Sequence, residues 1–333
     1  MNYKNIIFDF SSSYTGGGKK RLYAYLNYFH NKGGSNFIIN KILENKIKKN
    51  KNKIFFVKKT NISNLFIPMN YLKYIQSSNP NIEFCYSYGT PATKKIFKYN
   101  IIHVSNIIPF ILTKNKISLI DKFRYQILKK RFLHNFQFAN LVSYESKSSL
   151  KLIKKTYKFP KTSNFFLSIN PADIQLNRSS NNKNIAITVG TQSYKNVNLV
   201  IDLFYKLKNN DPKLELHIIS EHHFNINSNN KIKIFKNLSR NQVIKKLSEA
   251  KFYINASSYE NSYNNATEGI FLSKFSFLSC IDVHKELLNE LKYPKIKKVN
   301  NFYFLEKDKI SNLNKPTWDK DCKLLIKQID DFK

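Results

Sequence analysis

Acidic residues are the scarce commodity of this chain. Only 22 aspartates and glutamates stand against 56 lysines and arginines in 333 residues, which leaves a formal charge of +34. Part of that excess follows the heavy use of Lys, Asn and Ile expected of an AT-rich coding bias. A field this positive still favours anionic partners such as nucleotide phosphates, nucleic acid or acidic lipid headgroups. Cysteine is equally sparse. Cys85, Cys280 and Cys322 are scattered without metal-ligand spacing, which excludes a disulfide scaffold or a thiolate metal centre and suits a reducing compartment. The adjacent pair His222-His223 lacks a third ligand and reads as surface, so no metal is expected. No apolar run nears the ~18 residues that a membrane span needs. Ile6 to Phe10 is too short for a signal-peptide core. The chain is therefore expected in the cytoplasm, soluble or peripheral to a membrane. No repeat at a solenoid period is present. No helix-turn-helix, zinc finger or aromatic RNA-binding signature is present either, so nucleic acid is not an expected partner.

What the chain does contain is alternation. Strand-like runs occur at Ile6 to Phe10, Asn36 to Ile39, Lys53 to Val57, Glu83 to Tyr86, Ile101 to Val104, Leu141 to Tyr144 and Asn164 to Ser168. They recur at Ile185 to Val189, Leu214 to Ile219 and Lys231 to Phe235, with helical patterns between most of them. Such alternation predicts an α/β protein with parallel sheets. The length suits two domains of about 150 to 170 residues. We place them at 1–168 and 183–315, with a polar linker at 169–182 and a last helix at 316–333. Leu22, Tyr25, Leu26 and Phe29 give a helix from about Lys19 an apolar stripe. Before it, Gly16, Gly17 and Gly18 form a glycine-rich connection that could point amides at an anion or serve only as a flexible connector.

The most informative stretch is Phe252 to Glu286, FYINASSYENSYNNATEGIFLSKFSFLSCIDVHKE. Phe252 to Asn255 reads as a strand, Ala266 to Ser273 as a helix and Phe275 to Cys280 as a second strand, a βαβ unit of a parallel sheet. Ligands of such sheets bind beyond the carboxyl ends of the strands. Glu260 falls in the loop above the first strand and Glu268 in the first turn of the helix, with seven residues between them. Asn265 and Glu268 also have the spacing of a capping box, which would make Glu268 purely structural.

The Ser-rich strand end, the paired glutamates and the Asp282-x-His284-x-Glu286 tail resemble the donor-binding region of retaining GT-B glycosyltransferases, in particular glycosyltransferase family 4. The resemblance implies two Rossmann-like domains facing across a cleft, with the last helix returning to the first domain. It implies transfer of a hexose from a nucleotide sugar, such as a UDP- or GDP-sugar, to a glycan or lipid-linked glycan. Retention at the anomeric carbon and no metal or other cofactor are implied with it. The setting it suggests is bacterial lipopolysaccharide, O-antigen or capsule synthesis at an anionic membrane surface. By position, Glu260 contacts the sugar and Glu268 the ribose. Gly190 closes the strand before a phosphate-binding Lys195, and Ser262, Tyr263, Asn264 and Asn265 replace the glycine-containing loop that usually follows the first glutamate. Gly16 to Gly18 match the family's glycine loop on the phosphate and acceptor side. Asn106 matches its cleft segment, but Ser105 stands where many relatives have a histidine. His103, two residues earlier, is a candidate substitute or a packed strand residue. No Arg accompanies Lys195 in the loop Thr191 to Tyr194. These departures leave open a non-catalytic GT-B-like partner subunit and, further off, a basic nucleic-acid-binding protein.

Overall fold

The computed structural model describes residues 3–14, 16–58, 70–89, 95–111, 119–161, 163–172, 183–220, 231–294, 296–309 and 317–332. Most of the expected linker and His222-His223 lie outside these. The chain divides into two compact units, Met1–Asn170 with Pro316–Lys333, and Pro171–Lys315.

In the first unit the strands are β1 (Ile6–Phe10), β2 (Asn36–Asn40), β3 (Lys53–Val57), β4 (Phe84–Tyr88), β5 (Tyr99–Val104), β6 (Leu141–Tyr144) and β7 (Asn164–Leu167). They form one sheet in the order β3-β2-β1-β4-β5-β6-β7, and every pair in it is parallel. A parallel sheet is covered on both faces, so its central strands are apolar on both sides. Accordingly β1, β2 and β4 are buried throughout. The covering helices are α1 (Gly16–Asn31), α2 (Asn70–Ser78), α3 (Leu119–Phe136) and α4 (Lys147–Thr156). Helix α1 begins at Gly16, three residues before the sequence suggests, so Gly16 to Gly18 form its first turn rather than a free loop. The aromatic side chains of β1, α1, β2 and β4 make one core, with Phe8 against Tyr25, Phe29, Phe37 and Tyr86.

The second unit holds β8 (Lys183–Val189), β9 (Glu215–Ser220), β10 (Ile232–Lys236), β11 (Ala250–Asn255), β12 (Phe275–Ser279), β13 (Lys297–Val299) and β14 (Phe302–Glu306). The sheet order is β10-β9-β8-β11-β12-β14-β13. The first five strands are parallel, and β14 and β13 add an antiparallel edge that the sequence reading missed. Helices α5 (Val197–Asn210), α6 (Arg240–Glu249), α7 (Asn264–Leu272) and α8 (Asp282–Glu290) accompany them. In both sheets the chain order reverses beside the first strand, between β1 and β4 and between β8 and β11. Those reversals are the topological switch points at which open α/β sheets bind ligands.

The final helix, α9 (Trp318–Asp330), belongs to the first unit. Its Cys322, Leu325, Ile326 and Ile329 enter the core formed by β1, α1 and β4. Beneath it lies a buried polar network that the sequence did not disclose. Arg21 of α1, which is fully buried, donates to Asp321 Oδ2 at 3.1 Å, Ser168 Oγ at 2.6 Å and Asn170 Oδ1 at 3.0 Å. Tyr25 also donates to Asp321, at 2.9 Å. Asp321 is thus the anchor of the last helix. No helix among the described residues is long and apolar enough to cross a membrane.

Candidate active site

The second unit assembles its polar residues at the switch point between β8 and β11. After β8 the chain passes Gly190, makes a tight turn at Ser193–Lys195 and starts α5. Gly190 has φ +93°, and a Cβ there would lie 2.8 Å from Gln192 Oε1 and 3.3 Å from Lys195 Cε. Glycine is therefore needed both for the backbone angle and for the lysine stem that crosses it. Lys195 is buried, and its Nζ meets Glu260 Oε1 at 2.5 Å. Glu260 comes from the loop after β11, where Ser257 Oγ donates to the same oxygen at 2.7 Å. The two loops are fastened to each other. The Tyr194 and Tyr259 rings stack with centroids 4.7 Å apart, Ser258 N donates to Tyr194 O at 2.8 Å, and Asn196 Nδ2 donates to Ala256 O at 3.0 Å.

Glu268 lies two residues further into α7 than its spacing suggests, because that helix begins at Asn264 rather than Ala266. The capping-box reading therefore fails: the helix cap is Tyr263, which makes no side-chain capping bond. Glu268 is instead buried and ion-paired with Arg240, the first residue of α6. Arg240 was not singled out in the sequence, since two residues 28 apart on different helices share no local pattern. Close packing of α7 on β11 holds Glu268 in place. A Cβ on Gly269 would fall 2.0 Å from the Tyr253 ring, so only glycine fits.

The neighbouring sequence candidates have different fates. Tyr263 is buried and its hydroxyl is committed to Glu290 at 2.6 Å. Asn264 keeps a buried Oδ1 with no hydrogen-bond partner among the described residues, while Ser262 and Asn265 are half-buried. His284 opens α8 beside them. Its Nδ1 contacts Ser279 O at 2.8 Å, and its Nε2 is buried without a partner among the described residues. Burial lowers its proton affinity, which Glu260 raises and Lys195 lowers, so both charges lie within electrostatic reach.

The first-unit candidates are not gathered in the same way. His103 is a core residue with both ring nitrogens occupied, Nδ1 by Ser143 Oγ at 2.8 Å and Nε2 by Glu145 Oε1 at 3.1 Å. Burial holds its proton affinity well below the usual histidine range, and Arg21 adds to the effect. It is the packed strand histidine, not a stand-in for a surface one. Ser105 is half-buried. Asn106 turns its Oδ1 back on Ile108 N at 2.9 Å, shaping the turn after β5. Gly18 packs tightly against Tyr88 and Ser13, whereas Gly16 faces open space. Among the described residues, no group of three or more His, Cys, Asp or Glu could hold a metal ion.

No protein-family model matches this chain, and neither does any curated protein sequence. Solved structures do. The Anabaena protein HepE, crystallised with UDP and glucose, aligns over 98% of this chain and 89% of its own, at 13% identity and a TM-score of 0.59. WaaG, a glycosyltransferase involved in lipopolysaccharide biosynthesis, aligns over 86% and 84%, at 10% identity and a TM-score of 0.62. A putative UDP-N-acetylglucosamine 2-epimerase from Listeria monocytogenes aligns over 98% and 89%, at 11% identity and a TM-score of 0.52. The fold is GT-B, with two parallel-dominated sheets flanked by helices. Since an epimerase is similar to it as well, the fold does not choose the reaction. That choice rests on the residues at the switch point.

Proposed function

We propose that the protein is a retaining glycosyltransferase that moves a hexose from a UDP- or GDP-sugar to a glycan or lipid-linked glycan. The observation that carries this reading is the pair of buried Lys195 and half-buried Glu260, held by the two loops that flank the switch point of the second sheet, with buried Glu268 eight residues beyond. Lys195 and the open amides at the start of α5 suit a diphosphate, because a helix N-terminus favours an anion. Glu260 orients the sugar and Glu268 takes the ribose hydroxyls. On this reading the bond from the anomeric carbon to the β-phosphate oxygen breaks while the acceptor oxygen bonds that carbon from the same face. The acceptor proton passes to the departing phosphate oxygen. The protein's part is positioning and stabilisation of leaving-group charge. The neighbouring structures support this reading: HepE is crystallised with UDP and glucose, a trehalose-6-phosphate protein with UDP-2-fluoro glucose, and WaaG is a glycosyltransferase.

The Glu268 assignment has a direct test. A charge-assisted hydrogen bond contributes about 1.5–3 kcal/mol, so Glu268→Gln should weaken calorimetric binding of the nucleotide sugar roughly 10- to 100-fold. Unchanged affinity with a lowered melting temperature would assign Glu268 to the structural pairing with Arg240 alone.

We further propose that the protein works on an anionic membrane surface, in lipopolysaccharide, O-antigen or capsule synthesis. The support is the start of α3, where Leu119, Ile120 and Phe123 are exposed by 84%, 82% and 62%. Lys122, Arg124 and Lys130 are exposed beside them. The sequence suggests the triplet Lys129, Lys130 and Arg131 as the docking charge. The structure removes Arg131 from it, since that side chain is buried within reach of Asp9 and Tyr71 and its proton affinity is lowered by burial. Phe132 and Phe136 are core. Basic residues near anionic lipid contribute about 1 kcal/mol each. The triple change Lys122→Glu, Arg124→Glu and Lys130→Glu should therefore release the protein from phosphatidylglycerol-rich vesicles and spare nucleotide binding. Equal partitioning of the native protein onto neutral and anionic vesicles, or onto neither, would contradict the proposal.

A further inference from the structure

Two side-chain acceptors that the reading above leaves unused sit near the Lys195–Glu260 pair, one on the loop before Lys195 and one in the first turn of α8. Gln192 Oε1 and His284 Nε2 are both buried and have no hydrogen-bond partner among the described residues. Buried polar groups are nearly always paired, and leaving one unpaired is costly. Both belong to the same construction as the pair itself. Gln192 precedes Lys195 by one turn, its carbonyl accepting Lys195 N at 2.8 Å. His284 is linked to Glu260 through two intervening serines. Its Nδ1 meets Ser279 O at 2.8 Å, Ser279 Oγ donates to Ser257 O at 2.6 Å, and Ser257 Oγ donates to Glu260 Oε1 at 2.7 Å.

The first of those contacts fixes the tautomer. A carbonyl oxygen only accepts, so the proton is on Nδ1, and the neutral ring presents a bare lone pair at Nε2. Asn264 Oδ1, on the first residue of α7, is a third acceptor of the same kind. Unpaired acceptors beside one ion pair, Gln192 Oε1 next to the lysine stem and His284 Nε2 on a ring within electrostatic reach of both charges, are complementary to a ligand rich in hydroxyl donors. A phosphate, which brings acceptor oxygens of its own, would be repelled by them. We propose that His284 Nε2, with Gln192 Oε1 beside the lysine loop, accepts hydroxyl hydrogens of the transferred sugar, making His284 a sugar-binding residue. This rests on the donor-site reading above and extends it to residues which that reading leaves without a role.

Two substitutions separate the two ring nitrogens. In His284→Asn the amide nitrogen falls near Nδ1 and preserves the bond to Ser279 O, but nothing remains at Nε2. In His284→Gln the amide oxygen reaches the Nε2 position and keeps the acceptor. The native protein and both variants are titrated with UDP and GDP, and with UDP-glucose, UDP-galactose, UDP-N-acetylglucosamine and GDP-mannose. The proposal expects His284→Asn to weaken the bound nucleotide sugar by about five- to tenfold, the loss of one hydrogen bond. The parent diphosphate should be unaffected, and His284→Gln should stay within about twofold of the native affinity. Equal losses for diphosphate and nucleotide sugar would make His284 a structural residue and overturn the proposal. Unchanged affinities with a shifted melting temperature would also overturn it, since Nε2 would then serve only a buried water. If the native protein binds neither diphosphate, the donor-site reading falls first and takes this proposal with it.

Discussion

Lys195→Ala is expected to lower glycosyl transfer by about 10²–10³-fold, the usual effect of deleting one preorganised group that stabilises developing charge. Two features of the site set this expectation. Lys195 is the cation paired with Glu260, and no arginine stands in the loop Thr191 to Tyr194 beside it. It is also buried, where its charge is screened less than at the surface. The variant should lose tight binding of the free nucleoside diphosphate as well, because that ligand lacks the sugar and depends on the phosphate contacts. Glu260→Ala should cost less turnover and should spare the diphosphate. Breaking a buried pair leaves one charge unpartnered, so circular dichroism must first show that each variant is folded. A folded Lys195→Ala protein that binds diphosphate as well as the native chain would remove Lys195 from the phosphate site.

The second large effect is on stability. Asp321→Ala should destabilise the first unit by about 3–5 kcal/mol, the cost of leaving a buried charge without its partner. That is a large part of the roughly 5–15 kcal/mol that holds a typical domain together. Arg21 is fully buried and would keep Ser168, Asn170 and Tyr25 as neutral partners, while the carboxylate of Glu145 stands 4.0 Å away. The chain's single tryptophan makes the effect measurable in place. Trp318 opens α9 and its ring lies 5.6 Å from the Arg21 guanidinium, so denaturant unfolding followed by tryptophan fluorescence reports on this junction. A transition shifted by less than about 1 kcal/mol would mean that Glu145 or water replaces Asp321, and that apolar packing of Leu325 and Ile329 alone seats the helix.

Local pattern carried most of the fold. Largely apolar runs such as IIFDF mark buried parallel strands, and the stripe of Leu22, Tyr25, Leu26 and Phe29 marks α1, because both are properties of a few neighbouring residues. The antiparallel edge formed by β13 and β14 escaped because β13 has three residues and only one of them is half-buried. Helix α8 escaped because its polar face was read as part of a motif tail. In the site, Lys195, Glu260 and Glu268 could be singled out by spacing and resemblance. Their partners could not. Arg240 with Glu268, Arg21 with Asp321, and His284 with Ser279 on the way to Glu260 are products of topology and have no signature in the sequence. The same limit explains Arg131. A run of three basic residues looks uniformly exposed in sequence, yet helical geometry turns the third inward, within reach of Asp9 and Tyr71.

The most direct test of the account is to incubate the purified protein with the panel of UDP- and GDP-sugars and follow each by nuclear magnetic resonance. The account predicts that one nucleotide sugar is consumed and its free diphosphate appears. The hexose, on water or an added glycan acceptor, should keep the anomeric configuration that it had in the donor. Consumption should be lost in Lys195→Ala. No consumption of any nucleotide sugar, release with inverted configuration, or turnover that persists without Lys195 would contradict it.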